Sequence, residues 1–329
     1  MKIAVLGSGT WGTALARLLS LNGHRVALWS ALPAEIDNLA ATRRHPNLPY
    51  MELPEDIFLT ADMASALEGA GLAVFAVPSV FMRSVAAKAS PLWTPGTVAV
   101  SVAKGVEPGT YMTMTDIIEN EIPSLKNTVV ALSGPTHAEE VARSMPTAIV
   151  SASRSAQAAE MVQRIFSNSF FRVYTNSDIL GVELCGAMKN IIALAAGISD
   201  GSGYGDNAKA ALMTRGMAEI VRVGRAMGCD ERTFYGLSGI GDLIVTATSR
   251  HSRNNRAGFL IGSGKTAQEA VKEVGMVVEG INALPAALGL RDRFGLEMPI
   301  TSAVDEIING GADPKEVVTR LMLREYKGE

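Results

Sequence analysis

Short apolar runs alternate with helical patterns along the first half of the chain. Each run is continuously apolar instead of alternating with polar residues, which is typical of parallel strands in a sheet covered on both faces. The runs lie at residues 2–6, 25–29, 73–77, 97–102 and 129–132, with two later ones at 147–151 and 170–174. Strands separated by helices predict an α/β domain with a doubly wound, Rossmann-like sheet.

After about residue 178 the strand-like runs mostly give way to helical patterns rich in Ala, Met and Leu. We predict helices at 181–198, 207–227, 231–236, 266–273, 280–294 and 314–325. Thr266 and Glu269 have the spacing of a capping box, and Asp313 stands as an N-cap before Pro314. The change in pattern predicts a Rossmann-like domain at 1–180 and an all-α domain at 181–329.

Composition supports a folded two-domain protein. The chain has 329 residues, of which 47% are hydrophobic and 19% charged, enough for large buried cores. A net charge of −3 gives no reason to expect nucleic acid or an anionic membrane as partner. Cys185 and Cys229 have neither metal-binding nor redox spacing, so we expect no metal. We see no signal peptide and no apolar run of about eighteen residues, so we expect a cytoplasmic protein without stable membrane insertion.

A glycine-rich turn directly follows the first predicted strand. Gly7, Gly9 and Gly12 form a GxGxxG pattern that opens a helix. In such a turn the first glycine allows the tight bend, the second lets the backbone approach a pyrophosphate, and the third lets the helix lie close to the strand. The helix N-terminus then offers N–H groups to the phosphates. The pattern predicts binding of NAD or NADP; the alternative is a glycine turn that only packs a helix on a sheet.

The choice between NAD and NADP stays open at the end of the second strand. An acidic residue there would bind the ribose 2′-hydroxyl and a basic one the 2′-phosphate. The chain has Ser30 and Ala31 at this point, with neither charge. Glu35, Arg43 and Arg44 lie farther on and are interpreted as surface charges.

Two segments follow later predicted strands, at the carboxyl ends where open α/β sheets bind ligands. Lys104 follows the run 97–102, and residues 134–138 follow the run 129–132. The alternative for Lys104 is a solvated loop lysine. His137 is a possible acid–base group, but a single loop histidine is more often structural.

Lys189 and Asn190 lie in an otherwise apolar helical stretch. Burying an unpaired ammonium would cost several kcal/mol, so we expect Lys189 to line a polar cleft near an acid. Desolvation would bring its pKa toward the working pH, which suits general acid–base chemistry. The alternative is a lysine that snorkels to the surface.

Asp242 and the run Ser252, Arg253 and Asn254 complete the polar candidates. Asp242 could pair with a lysine ammonium. A guanidinium beside hydroxyl and amide donors suits a phosphate. The alternative for the second group is a basic surface loop, because Arg250, His251 and Arg256 lie nearby.

Taken in order, these segments resemble the bacterial-type NAD(P)-dependent glycerol-3-phosphate dehydrogenases. The matching stretches span the chain: GSGTWGTALA at 7–16, AKG at 103–105, SGPTHAEE at 133–140, GAMKN at 186–190, GLSGIGDL at 236–243, HSRNNR at 251–256 and VVEG at 277–280. The resemblance implies reversible hydride transfer between NAD(P) and dihydroxyacetone phosphate, giving sn-glycerol 3-phosphate for glycerophospholipid synthesis. It also implies a homodimer.

The resemblance assigns roles to individual residues. Lys189 corresponds to the catalytic acid–base. Substrate contacts are implied for Lys104, Gly134, Thr136, Lys189, Asp242, Ser252, Arg253 and Asn254. Cofactor contacts are implied for Gly7, Gly9, Thr10, Trp11, Gly12, Ala31, Lys104, Ala138, Arg253, Val277 and Glu279. His137 is not among the functional positions of the family.

One departure and two alternatives remain. Members of the family often carry an arginine or histidine where this chain has Ser30 and Ala31, so we expect dual cofactor use or a shift toward NADH. A β-hydroxyacid dehydrogenase also joins a dinucleotide domain to an all-helical domain and uses a lysine. An NAD(P)-binding redox sensor without turnover is the non-enzymatic alternative.

Overall fold

The computed structural model describes residues 1–325 and 328. The chain divides into two compact units. Unit 1 contains Met1–Glu107 and Met112–Glu183, and unit 2 contains Pro108–Tyr111 and the residues from Leu184 onward. The boundary between Glu183 and Leu184 falls inside one long helix, Ile179–Gly201.

Unit 1 is built on a single eight-stranded sheet. Its strands are β1 Lys2–Leu6, β2 Arg25–Trp29, β3 Phe58–Thr60, β4 Leu72–Phe75, β5 Val98–Ser101, β6 Val130–Ser133, β7 Thr147–Ala152 and β8 Phe171–Asn176. The order across the sheet is β3-β2-β1-β4-β5-β6-β7-β8. Neighbouring strands are parallel except for β6 and β7. The predicted Rossmann-like sheet is confirmed; β3 was missed because it has only three residues.

Helices cover both faces of this sheet. They are α1 Thr10–Leu21, α2 Pro33–Thr42, α3 Met63–Leu67, α4 Met82–Ala89, α5 Met114–Glu121, α6 Ala138–Val141 and α7 Ala156–Phe166. Ile3 and Val5 of β1 join one buried cluster, whereas Ala4 and Leu6 join another on the opposite face. Because both faces are buried, apolar residues are needed at consecutive positions, which explains the continuous apolar runs.

Unit 2 is helical in its described part. After α8 Ile179–Gly201 come α9 Asp206–Ala226, α10 Glu231–Phe234, a π-helical turn Leu237–Gly241, α11 Asp242–Thr248, α12 Arg253–Gly262, α13 Ala267–Val274, α14 Glu279–Phe294, α15 Pro299–Ile308 and α16 Pro314–Met322. The capping box of Thr266 and Glu269 and the N-cap Asp313 are confirmed. The last helix ends at Met322, three residues earlier than predicted, and α11, α12 and α15 were not predicted.

The long helix α8 corrects the expectation that no apolar run is long enough to span a membrane. Its 23 residues include a window of mean hydropathy 1.6, which is long and apolar enough by composition. The polar side chains of Glu183, Lys189 and Asn190 interrupt the apolar run, but its mean hydropathy stays as high as that of a membrane-spanning helix. The same window is 94% buried inside the protein, as expected for a core helix.

Glycines bring α8 and α12 into close contact within unit 2. A Cβ on Gly197 would lie 2.1 Å from the carbonyl oxygen of Asn255, and one on Gly258 would lie 2.1 Å from that of Leu194. Gly201 and Gly262 show the same overlap one turn farther along each helix. Because no larger residue fits at these positions, the crossing fixes α12 against the C-terminal half of α8, which follows Lys189.

Candidate active site

The glycine turn of unit 1 has the shape that a dinucleotide needs. A Cβ on Gly12 would lie 2.0 Å from the carbonyl oxygen of Gly7, so α1 packs too closely for any other residue. Gly7 has φ +126, and a Cβ there would lie 2.5 Å from the carbonyl oxygen of Ala76. Above Gly9, by contrast, a Cβ would meet nothing within 4 Å. Two glycines are therefore required by packing, and the third leaves open space where a pyrophosphate can approach.

The first turn of α1 suits an anion. Gly9 is the N-cap without a side-chain cap, and no acidic residue lies in the first turn. The helix therefore presents backbone N–H groups and its positive dipole end. Thr10 accepts a hydrogen bond at its hydroxyl from the Asn47 amide at 3.0 Å, and Trp11 is partly buried against the core. Ala31 is exposed just after β2.

Three predicted substrate residues converge at the carboxyl ends of β5 and β6. Lys104 Nζ and Thr136 Oγ1 each donate to the carbonyl oxygen of Gly134 at 3.1 Å. Gly134 has φ +155, and a Cβ there would lie 3.1 Å from the Cα of Ile149. Ala138 follows as the first residue of α6, after the N-cap His137. Lys104 is thus held over this turn and is not a solvated loop lysine.

In unit 2, Lys189 forms a buried ion pair with Asp242. Nζ lies 2.8 Å from Oδ1 of Asp242, and the two side chains are 6% and 2% exposed. Nζ also donates to Thr246 Oγ1 at 2.5 Å, and that hydroxyl donates to the backbone carbonyl of Asp242 at 2.6 Å. The acid that the sequence led us to expect beside Lys189 is therefore present, and the lysine does not snorkel to the surface.

The buried pair favours the charged ammonium form of Lys189. Withdrawing an ammonium and a carboxylate from water is costly, and their attraction offsets the loss only with good geometry and further hydrogen bonds. Thr246 supplies such a bond. Buried ion pairs often stabilise a fold no better than apolar residues do, so chemistry is the better reason for this one.

The phosphate candidates differ in what their side chains contact. Ser252 is the N-cap of α12, and its Oγ accepts from the N–H of Asn255 at 3.2 Å. Arg253 is the first residue of the helix; it is exposed, and its guanidinium has no partner among the described residues. The first turn of α12 carries no acidic residue. An exposed guanidinium at a helix N-terminus is well suited to a phosphate.

Asn254 uses its amide inside the protein. Its Nδ2 donates to Oδ1 of Asn190 at 2.9 Å, and its Oδ1 accepts from the N–H of Gly280 at 2.8 Å. Asn190 in turn donates to the carbonyl of Gly186 at 3.1 Å. Asn254 therefore connects α8 to the start of α14, where Val277 and Glu279 lie on either side of the N-cap Val278.

Sequence reasoning missed two polar residues. Thr246 was detectable, because it lies one helical turn after Asp242 and therefore on the same helix face. Glu183, in unit 1, accepts from the N–H of Thr115 at 2.9 Å and from its hydroxyl at 2.5 Å. Burial raises the pKa of Glu183 to about 7, although both hydrogen bonds act in the opposite direction. The apolar residues next to Glu183 in the sequence do not indicate that Thr115 is its partner.

Comparison with known proteins gives a consistent result along the chain. The family model described as NAD-dependent glycerol-3-phosphate dehydrogenase N-terminus matches residues 2–159, and the model of the C-terminus matches residues 178–319. A protein of Lactobacillus delbrueckii subsp. bulgaricus named glycerol-3-phosphate dehydrogenase [NAD(P)+] 2 is 58% identical, covering 100% of this chain and 98% of its own. One of Agathobacter rectalis, named glycerol-3-phosphate dehydrogenase [NAD(P)+], is 49% identical and covers 100% and 97%.

A solved structure agrees with these relatives. The crystal structure of glycerol-3-phosphate dehydrogenase from Coxiella burnetii superposes with a TM-score of 0.94 at 36% identity, covering 98% of this chain and 99% of that one. The resemblance inferred from the glycine turn and the polar segments is thereby confirmed. The chain belongs to the NAD-dependent glycerol-3-phosphate dehydrogenase family.

Proposed function

We propose that this protein is an NAD(P)-dependent sn-glycerol-3-phosphate dehydrogenase. The observation that carries the proposal is the buried ammonium of Lys189, held by Asp242 and Thr246 in a chain whose glycine turn suits a dinucleotide. The reaction is the reversible reduction of dihydroxyacetone phosphate at C2, which consumes one reduced cofactor and one proton. When bound, NAD(P)H supplies the hydride.

Unit 1 binds the cofactor in this proposal. The N–H groups at the start of α1 hold the pyrophosphate, while Thr10, Trp11, Ala31 and Ala138 flank it. Lys104 contacts both cofactor and substrate from the turn that also contains Gly134 and Thr136. The shared carbonyl partner of Lys104 and Thr136 holds these donors in fixed positions.

Lys189 of unit 2 is the proposed acid–base catalyst. Its ammonium donates a hydrogen bond to the C2 oxygen and transfers a proton to it as the alcohol forms. In the reverse direction the neutral amine accepts the hydroxyl proton. Asp242 stabilises the charged form before transfer, and Thr246 holds the nitrogen in position.

Arg253 and Ser252 are the proposed phosphate-binding groups. The substrate phosphate carries a charge of about −1.5 to −2 at neutral pH, as in phosphorylated side chains. A guanidinium and the N-terminus of α12 both attract that charge. Binding energy from this non-reacting group positions the ketone for reduction. Asn254 supports the same segment through Asn190 and Gly280, and Val277 and Glu279 contact the cofactor from the start of α14.

Substrate-dependent oxidation of reduced cofactor tests the proposal. The purified protein is mixed with NADH or NADPH, and the loss of cofactor absorbance is recorded after adding a ketone. Dihydroxyacetone phosphate is expected to give rapid turnover, whereas unphosphorylated dihydroxyacetone and β-oxo acids give little. Faster turnover of a β-oxo acid would favour a β-hydroxyacid dehydrogenase instead. No turnover with any ketone would favour a binding module.

Three further statements belong to the proposal. Residues 1–180 form the cofactor-binding domain and 181–329 the catalytic domain. The enzyme acts in the cytoplasm and supplies glycerophospholipid synthesis. It is a homodimer, an expectation that exposed apolar side chains of unit 2 such as Tyr235 and Phe259 support. Light scattering checks the last statement: the expected mass is twice the 34.7 kDa of one chain, and a mass of one chain would contradict it.

A further inference from the structure

The carboxylate of Glu35 is held beside the glycine turn by two buried serines. Ser8 Oγ donates to Oε2 at 2.5 Å, and Ser30 Oγ donates to the same oxygen at 2.7 Å. The serines are only 3% and 4% exposed, so their hydroxyls hold the carboxylate in a defined place. Ser30 in turn accepts from the N–H of Leu32 at 3.2 Å, which fixes its own orientation.

This place is where a Rossmann domain recognises the adenosine ribose. Ser8 lies inside the glycine turn, and Ser30 directly follows β2. The two segments are adjacent because Leu6 pairs with Trp29 and the N–H of Gly7 donates to the carbonyl of Trp29 at 2.9 Å. In this fold an acidic residue near the end of the second strand accepts a hydrogen bond from the ribose 2′-hydroxyl of NAD, whereas an arginine accommodates the 2′-phosphate of NADP.

Glu35 brings that acidic group from another position. It is the third residue of α2, in the first turn, where the helix dipole favours a negative charge. The end of β2 itself is uncharged, which is why the sequence pattern left the cofactor open. The fold places the Glu35 carboxylate at the position that the sequence at residues 30 and 31 does not fill.

The basic side chains after β2 that could bind a 2′-phosphate have other partners. Arg43 donates to the carbonyl of Ile57 at 3.0 Å, and Arg44 forms an ion pair with Glu52 at 3.0 Å. His45 interacts electrostatically with Glu35, but burial holds the pKa of its imidazole below the usual range. Burial thus disfavours the charged imidazole, which weakens His45 as a partner for the Glu35 carboxylate.

We infer that Glu35 makes this protein select NAD(H) over NADP(H), by accepting from the ribose 2′-hydroxyl and repelling a 2′-phosphate. Oε1 of Glu35 accepts no hydrogen bond from any residue that the structure describes, so it can accept one from the ribose. A 2′-phosphate would place about −1.5 to −2 charges beside a carboxylate. The inference rests on the proposed binding of a dinucleotide at the glycine turn.

Equilibrium binding to the full chain tests the inference separately from turnover. Dissociation constants for NADH and NADPH are measured by quenching of tryptophan fluorescence, and 5′-AMP and adenosine 2′,5′-bisphosphate serve as probes of the ribose position alone. The variants are Glu35→Gln, which can still accept from both serines, and Asp37→Asn, which removes an exposed carboxylate from the same helix.

We expect wild type to bind NADH at least about tenfold more tightly than NADPH. It is likewise expected to bind 5′-AMP more tightly than adenosine 2′,5′-bisphosphate. Glu35→Gln is expected to shift both ratios of dissociation constants about fivefold or more toward the 2′-phosphorylated ligand. Asp37→Asn is expected to keep the ratios of wild type. Added salt is expected to narrow the wild-type ratio, because it screens the repulsion. A wild-type preference for NADPH, or an unchanged ratio in Glu35→Gln, would overturn the inference. If neither dinucleotide bound wild type, the proposed function itself would fail.

Discussion

The hydroxyl oxygen of Thr246 lies 2.5 Å from the ammonium nitrogen of Lys189, although the two residues are 57 positions apart in sequence. The hydroxyl donates to the backbone carbonyl of Asp242, four residues earlier on α11, so its oxygen is turned toward the lysine. One short helix therefore supplies two acceptors, a carboxylate and a hydroxyl, to the same buried nitrogen. This arrangement fixes the position of the ammonium in the folded protein.

Thr246→Val tests the positioning of the ammonium. Valine has nearly the same shape but cannot accept from Lys189, so the ammonium loses a fixed acceptor. We expect kcat to fall about 10- to 100-fold with little change in KM, because a small misplacement of a catalytic group slows the chemical step. The control is Thr248→Val, because Thr248 is exposed on the same helix and its hydroxyl donates to the carbonyl of Ile244. Equal losses in the two variants would contradict the positioning role.

Lys189→Met tests the acid–base role. Methionine keeps much of the side-chain length without a proton to give, and general acid–base groups contribute about 10²- to 10⁴-fold to rates. We expect a loss of kcat in that range, with the dissociation constant for NADH nearly unchanged because the glycine turn is untouched. The control is Lys209→Met, which removes another ion-paired lysine, bonded to Asp200 at 2.9 Å. Near-normal turnover in Lys189→Met would remove Lys189 from its role.

The sheet and its glycine turn could be predicted from sequence because their signals are local. Continuous apolar runs indicate strands buried on both faces, and Gly7, Gly9 and Gly12 directly follow the first of them. The short β3 escaped because it has only three residues, and the first of them, Phe58, is exposed. The antiparallel pairing of β6 and β7 also escaped, because an apolar run carries no information about strand direction.

The polar contacts of unit 2 were only partly predictable, because they join residues distant in sequence. An acid near Lys189 was expected on energetic grounds, but its distance and the role of Thr246 depend on how α8 and α11 pack. Asn254 resembled a ligand-binding residue, yet its amide bonds Asn190 and Gly280. The glycine pairs that bring α8 and α12 together, Gly197 with Gly201 and Gly258 with Gly262, were visible as GxxxG spacings but were not interpreted.

Arg253→Ala tests the phosphate contact. A hydrogen bond to a charged group contributes about 1.5–3 kcal/mol, so KM for dihydroxyacetone phosphate is expected to rise about 10- to 100-fold. The slow reduction of unphosphorylated dihydroxyacetone is expected to stay unchanged, because that substrate has no phosphate to lose. Arg256→Ala, which removes an exposed arginine of the same helix, is the control. A proportional loss with both substrates would indicate that Arg253 acts on the fold or the cofactor instead.

Alanine substitutions in the glycine turn separate packing from cofactor binding. A Cβ on Gly12 would overlap the carbonyl of Gly7, whereas one on Gly9 would point into open space. Gly12→Ala is therefore expected to lower the midpoint of thermal unfolding. Gly9→Ala is expected to unfold like wild type but to bind NADH about tenfold or more weakly, because its methyl group occupies the space of the pyrophosphate. Wild-type affinity in Gly9→Ala would argue against a pyrophosphate at this turn.

Glu183 makes the stability of unit 1 depend on pH. Its pKa rises from 4.5 to about 7 in the folded protein, so the folded state holds a proton that the unfolded state releases. This contribution is fully present below about pH 4.5 and is lost as the pH rises to about 7, by an amount on the order of 3 kcal/mol. Glu183→Gln keeps an acceptor for Thr115 and is expected to reduce that loss.

Urea unfolding at pH 5 and pH 8 checks the prediction for Glu183. All three tryptophans, Trp11, Trp29 and Trp93, belong to unit 1, so their fluorescence reports on the unit that contains Glu183. The surface variant Glu160→Gln is the control and is expected to keep the pH dependence of wild type. If Glu183→Gln and wild type lost the same free energy of unfolding between the two pH values, the prediction would be wrong.

The most direct test of the proposed activity is the stoichiometry of the product. Dihydroxyacetone phosphate and a limiting amount of NADH are incubated with the protein, and sn-glycerol 3-phosphate is quantified against the cofactor oxidised. One mole of sn-glycerol 3-phosphate for each mole of NADH oxidised is the predicted result. Oxidation of NADH without this product, or no oxidation at all, would contradict the assignment.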